Sequence, residues 1–217
     1  MFARNAMINY NKVRIYKKKL AEKFVSTGKI YISVLSKLGC ERQLKFMFNG
    51  TDKDKDFFVW DGLENDIGNA IHTTLQKIFM ETGELTAVEI PIKFPIDETL
   101  TLSMRIDGEL PDGSLWELKT LGPKDYSISE PRIDHITQLN FYMGVTNQQF
   151  GELDYVKRDN GKLLKQFKIE FNQQLFEDTI SKVLNVLMIE AKDLKKNKDD
   201  CNFCQHKQEC KKLDKSK

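Results

Sequence analysis

The stretch from residue 99 to residue 120 constrains the fold most. Two apolar-rich runs, 99–110 and 114–120, flank Pro111-Asp112-Gly113. An Asp-Gly pair favours a tight reversal, so the two runs are expected to pair as antiparallel strands. Side chains alternate along a strand, and Glu117 and Lys119 therefore point the same way. Asp107 faces them if the pairing runs back from the turn. Two carboxylates and one amine would then share a small volume, a layout suited to a divalent cation and to phosphodiester hydrolysis.

Elements on either side frame this hairpin. Over residues 63–82, Leu63, Ile67, Ile71, Leu75, Ile78 and Phe79 recur at helical spacing, with Gly83 as a stop. Gly68 and His72 share one side of that helix. A further strand is expected at 87–94. A helix over 133–145 would present His135, Gln138 and Tyr142 on one face. Residues 151–157 and 163–171 form a second hairpin around Asn160-Gly161, and a long helix from 173 to 194 buries Phe176, Ile180, Val183, Leu184, Leu187 and Ala191. Towards the N-terminus, residues 10–24 suggest a basic helix or arm, Val34, Leu35 and Leu38 a short helix ending near Cys40, and 49–56 a loop.

A chain of 217 residues with 40% apolar content suffices for one domain with a full core. The expected division is an N-terminal helical segment at 1–60, a core at 61–195 and a cysteine-bearing basic tail at 196–217. Residues 1–25 hold seven Lys or Arg against one Glu, and residues 192–217 hold nine against five, so both ends are basic and the centre acidic. An acidic centre suits cations, and basic ends suit a polyanion brought near it. No run approaches the roughly 20 apolar residues of a membrane span, and the start lacks a signal peptide's apolar core, so a cytoplasmic location without a membrane partner is expected. Cys40 stands alone and Cys201, Cys204 and Cys210 cluster near the end. In a reducing compartment such a set points to a metal or cluster rather than disulfides. By ligand type, four thiolates suit Zn2+ or an iron-sulfur cluster equally.

Taken singly these residues have ordinary explanations. Asp107 before Gly108 is a turn former, Glu117 and Lys119 a cross-strand ion pair, His72 a boundary histidine, and Gln138 and Tyr142 polar residues on an amphipathic helix. Their order changes the reading. A helix with Gly68 and His72, a strand pair with Asp107 and Glu117-Leu118-Lys119, a helix with Gln138-x-x-x-Tyr142, and four bracketing cysteines resemble the RecB-like branch of the PD-(D/E)XK nuclease superfamily. Within it, the chain looks like the iron-sulfur exonucleases related to the Cas-four proteins of CRISPR adaptation and to the nuclease domain of AddB.

The resemblance runs from Cys40 to Cys210 and implies an α/β fold, a restriction-endonuclease-like core with a mixed central sheet flanked by helices. It implies that His72, Asp107, Glu117 and the Leu118 carbonyl bind Mg2+ or Mn2+, that Lys119 is catalytic, and that Gln138 and Tyr142 contact DNA or orient the site. Nine residues separate Asp107 from Glu117, within the family's loose spacing, and Glu89 falls where some relatives carry another acidic residue. The cysteines would hold a [4Fe-4S] cluster that ties the chain ends together. The implied activity is a DNA exonuclease acting on single strands, 5′ to 3′. The rival reading is a DNA-end-processing factor of CRISPR adaptation or a phage counterpart, working with an integrase or helicase. A third is a zinc-stapled binding protein without catalysis. Tyr10, Tyr16, Phe46, Phe48 and Trp60 are candidate stacking platforms for bases.

Overall fold

The structure is a computed structural model that describes residues 29–31, 40–51, 60–95, 101–197, 201 and 204–215. Its elements in chain order are β1 (Lys29–Tyr31), α1 (Glu41–Phe48), α2 (Trp60–Thr82), β2 (Ala87–Pro95), β3 (Thr101–Glu109), β4 (Leu115–Leu121), α3 (Ile133–Thr146), β5 (Phe150–Lys157), β6 (Leu163–Glu170), α4 (Gln173–Met188) and α5 (Lys207–Lys215). The expected basic arm at 10–24 and the short helix before Cys40 lie outside the described residues. Cys40 itself precedes a helix, α1, as its N-cap.

Six strands form one mixed sheet in the order β1-β3-β4-β5-β6, with β2 also pairing to β3. The β4–α3–β5 segment is the helical crossover that a parallel pair requires, and β4 and β5 pair in parallel from Leu115↔Gly151 to Leu121↔Lys157. The two hairpins turn where the glycines allow it. Gly113 and Gly161 have φ of 85° and 70°, and the Asp112 and Asn160 side chains accept the N–H groups of Ser114 and Lys162.

The first hairpin departs from uninterrupted pairing. β3 and β4 share only the rungs Gly108↔Trp116 and Glu109↔Leu115, then diverge. β2 lies along one edge of β3 for its length, so β4 and β1 share the other; β1 pairs in parallel at Thr101 to Ser103. Among the described residues, 104–107 of β3 have no rung on that edge.

The main core joins Leu102, Met104 and Ile106 of β3 to Leu139, Phe141 and Met143 of α3 and to Val183 and Val186 of α4. A second cluster lies under α2, where Leu85, Trp116, Leu118 and Val156 meet Ile71, Leu75 and Phe79. The edge of the apolar stripe of α2 at Ile67 and Ile78 is exposed, whereas Gly68 and Gln76 are buried. Gly68 comes close to β4, where a Cβ on it would meet Thr120 Oγ1 at 3.0 Å.

Two boundaries differ from the sequence reading. The last long helix stops at Met188 rather than 194, so Ala191 lies beyond it, and Leu184 is exposed. Side chains of α1 capture carbonyls from the last turn of α4 and from the segment beyond it: Lys45 Nζ donates to Leu187 O at 2.7 Å, and Arg42 Nη2 to Lys192 O at 3.0 Å. These bonds draw the chain across α1 and give the carbonyls partners outside a helix. The tail then adds α5 where only a basic segment was expected. Among the described residues, no helix is long and apolar enough to cross a membrane.

Gly144 marks the tightest contact between α3 and α4. A Cβ there would sit 2.4 Å from the Phe176 ring, which is itself packed against Phe141 and Phe171. Gly144→Ala is therefore expected to cost about 1–3 kcal/mol by overpacking, read as a lower urea midpoint at unchanged slope.

Candidate active site and cysteine pocket

β3 gives up both its neighbours at Asp107. The ladder to β2 runs Gly108↔Val88 and Ile106↔Ile90 and omits the intervening rung, because Glu89 takes a left-handed φ of 53°. Side chains supply the missing hydrogen bonds. Gln76 Nε2 donates to Asp107 O at 2.8 Å, and Leu118 N donates to Asp107 Oδ2 at 2.9 Å. The Asp107 carboxylate is thereby fixed against β4, and His72 Nδ1 from α2 stands 3.3 Å from the same oxygen.

Glu117 is buried opposite Asp107, and its Oε1 accepts from Lys119 Nζ at 2.5 Å. Lys119 Nζ also donates to Gln138 Oε1 at 2.9 Å, and Gln138 Nε2 donates to Tyr142 OH at 2.8 Å. These bonds make one chain, Tyr142–Gln138–Lys119–Glu117, in which the helical i, i+4 pair on α3 sets the carboxamide so that its oxygen meets the ammonium. The structure thus brings together His72, Asp107, Glu117, Lys119, Gln138 and Tyr142.

Electrostatics divide the two carboxylates. Burial pushes Asp107 up, but His72, Lys119 and the Leu118 N–H outweigh it, and its pKa falls below the ordinary carboxylate value. Glu117 is pushed up to about 7 by burial and by the charge of Asp107. Burial alone would lower the Lys119 pKa; Glu117 and Asp107 reverse that and raise it, so the amine is an ammonium here. Glu117 Oε2 is buried without a hydrogen-bond partner. Among the described residues, no three His, Cys, Asp or Glu side chains form a ready-made metal cage. The fit to a cation rests instead on Glu117 Oε2, a hard oxygen donor opposite a second carboxylate.

Several neighbours were not singled out from the sequence. Gln76 lies four residues after His72, on the same side of α2, and that spacing could have found it. Tyr155, opposite Lys119 on β5, accepts from Arg132 N at 3.0 Å and meets His135 Nδ1 at 2.8 Å. His135 shares a helix face with Gln138 but is committed to this second network.

The four cysteines line one cavity of about 230 Å3, together with Phe46, Lys196 and others. All four thiols are free. Arg42 Nη1 donates to Cys210 Sγ at 3.5 Å and to Asp214 Oδ1 at 2.7 Å. Burial, with the other three cysteines nearby, raises the Cys204 pKa, although the His206 N–H opposes it. Phe46 is buried here against the His206 ring and is no platform for a base, and Phe48 packs on the main core. Tyr10 and Tyr16 lie outside the described residues, as do the side-chain surroundings of Trp60.

The fold places the chain among α/β proteins with a mixed sheet flanked by helices. No protein-family model and no curated protein matches the sequence. Among solved structures, the protein SSO0001 matches with a TM-score of 0.62 at 16% identity, over 92% of this chain and 95% of that one. An alkaline exonuclease, LHK-Exo from Laribacter hongkongensis, matches with a TM-score of 0.54 at 17% identity, over 79% and 90%. Its complex with dAMP matches at 0.56 and 16%, over 76% and 90%. At such identities the likeness is one of fold.

His135 generates a pH prediction. Burial, then the charge of Lys119, lowers its pKa from 6.5 to about 4. Between those values the unfolded chain takes up a proton that the native ring refuses, so stability falls as pH drops through the window. The ring 15N shifts of His135 should remain those of a neutral imidazole at pH 5, and His135→Gln should flatten the stability slope between about pH 6.5 and 4.

Proposed function

We propose that this chain is a metal-dependent DNA exonuclease that degrades single strands from an end, 5′ to 3′. The observation that carries the reading is the buried, unpartnered Glu117 Oε2 opposite the ionised Asp107 and beside the Lys119 ammonium. Two buried carboxylates at one point are costly without a cation, and an exposed ion pair, the ordinary alternative, is inconsistent with a Glu117 that is 1% exposed. The fold shared with a protein named an alkaline exonuclease, also solved with dAMP, supports a nucleic-acid substrate.

Asp107, Glu117, the Leu118 carbonyl and His72 are the residues to hold Mg2+ or Mn2+, which supplies Lewis acidity and lowers the pKa of bound water. Lys119 presents its positive charge where negative charge builds on the phosphate. Gln138 holds the ammonium in place and Tyr142 holds Gln138, a physical account of the Gln-x-x-x-Tyr spacing. The basic helix α5, with Lys207, Lys211, Lys212 and Lys215, adds charge that attracts a polyanion.

The cysteine pocket is assigned a structural [4Fe-4S] cluster held by Cys40, Cys201, Cys204 and Cys210. The four thiols line one pocket, and the resemblance, rather than ligand type, favours the cluster over zinc. Arg42, donating to Cys210 Sγ, offsets the negative charge of thiolates.

End-labelled oligonucleotides test the activity. Wild-type protein should release products from the 5′ end in Mn2+ and none in EDTA, while Asp107→Asn and Lys119→Ala each lower kcat by about 100-fold or more. Undiminished cleavage by both variants would sink the site assignment. Anaerobically purified protein should be brown with four irons per chain, and Cys201→Ser should lower both iron content and Tm; one zinc without iron would replace the cluster.

A further inference from the structure

Arg105 lies on β3 between the rungs to β1 and the point where β4 diverges. The described rungs to β1 run to Ser103 and those to β4 begin at Gly108. Arg105 precedes Asp107 by two residues, and the Glu89 and Gln76 side chains, rather than strand alternation, tie it to that residue. Its charge reaches Tyr142, whose hydroxyl belongs to the Lys119 network.

The guanidinium is held rather than loose. Arg105 Nε meets Glu89 Oε2 at 2.5 Å, while Glu89 Oε1 accepts from Gln76 Nε2 at 2.8 Å. The same Gln76 nitrogen donates to Asp107 O. Arg105 is therefore indexed to Asp107 through two side chains. Among the described residues its ion pair is made through Nε, and the side chain is 69% exposed.

A structural role accounts poorly for this arrangement. Exposed ion pairs contribute little to stability, yet Glu89 adopts a left-handed backbone that a glutamate avoids in order to make one. Such a residue re-aims its side chain away from regular strand alternation. Here it fixes the plane of a guanidinium whose fork matches the oxygens of a phosphate.

We propose that Arg105, oriented by Glu89 and Gln76, binds a phosphate of the DNA backbone next to the Asp107–Glu117 site. The inference rests on the nuclease reading for its ligand, and on the Glu89–Gln76 link to Asp107 for its place. A phosphate held here sets the register of the strand, so that the neighbouring phosphodiester lies over the two carboxylates.

The test is binding of a fluorescein-labelled single-stranded oligonucleotide to full-length protein in EDTA, across a salt series, with cleavage in Mn2+ measured in parallel. Arg105→Ala should weaken binding about tenfold and reduce the slope of log affinity against log salt by about 0.7, the loss of one phosphate contact. Arg105→Lys should keep the slope and recover part of the affinity, because it keeps the charge and loses the fork. Glu89→Gln should weaken binding less than Arg105→Ala, with circular dichroism unchanged. Wild-type affinity and slope in Arg105→Ala would overturn the proposal, and wild-type affinity in Glu89→Gln would overturn the orienting role. A wild-type protein that binds the oligonucleotide but never cuts it removes the nuclease reading while the slopes still decide on Arg105. Absence of binding by wild type overturns both.

Discussion

The backbone hydrogen bonds that β3 gives up at Asp107 govern the rest of the structure. A buried strand cannot leave its neighbours without leaving N–H and C=O groups stranded, at about 1–3 kcal/mol for each unsatisfied group. Here the Asp107 carboxylate takes the Leu118 N–H and the Gln76 amide takes the Asp107 carbonyl. The sheet opens at a defined point because side chains have replaced a rung on each side. Asp107 is thus committed to the backbone of β4 before any ligand arrives, and its position relative to Glu117 is a property of the fold.

The buried pair of Glu117 and Lys119 is a different kind of feature. Removing two charges from water costs about as much as their attraction returns, so such a pair contributes little net stability compared with apolar residues of the same size. Its surroundings hold it in place. Lys119 is held by Gln138 and Gln138 by Tyr142, so the ammonium is fixed from the α3 side while Glu117 keeps one oxygen without a partner. Asp107, with its lowered pKa, and Glu117, raised to about 7, give the site one firmly ionised carboxylate and one that a nearby cation would drive to ionise.

Much of this was legible in local sequence. The Asp112-Gly113 and Asn160-Gly161 turns, the alternation that puts Glu117 beside Lys119, and the helical spacing of Gly68 with His72 and of Gln138 with Tyr142 all follow from short-range geometry, and the structure agrees with each. What escaped depends on partners distant in sequence. The left-handed Glu89 is explained only by Gln76 and Arg105. The end of α4 at Met188 requires Arg42 and Lys45, more than 140 residues away in the chain. The apolar stripe of α2 packs through Ile71, Leu75 and Phe79, but its edge at Ile67 and Ile78 is exposed, and Gly68 comes close to Thr120 on β4. Phe46 shows the converse error: an aromatic near basic residues resembled a base platform, yet it packs on His206 inside the cysteine pocket.

The meeting of the chain ends bears on the site through packing rather than contact. Arg42 joins α1 to Asp214 of α5 and to the carbonyls of Lys192 and Leu194, which closes the cysteine pocket. α1 packs on α4, and α4 packs on α3 through Gly144 and Phe176. Asn140 of α3 adds two bonds to the backbone of Asn172, whose side chain caps α4. The helix that holds Gln138 and Tyr142 is therefore braced from behind by the element that the pocket anchors. Lys45 of α1 grips Leu187 in the last turn of α4. Contacts between the two ends of the chain thus reach, through α1 and α4, the helix whose Gln138 accepts from Lys119.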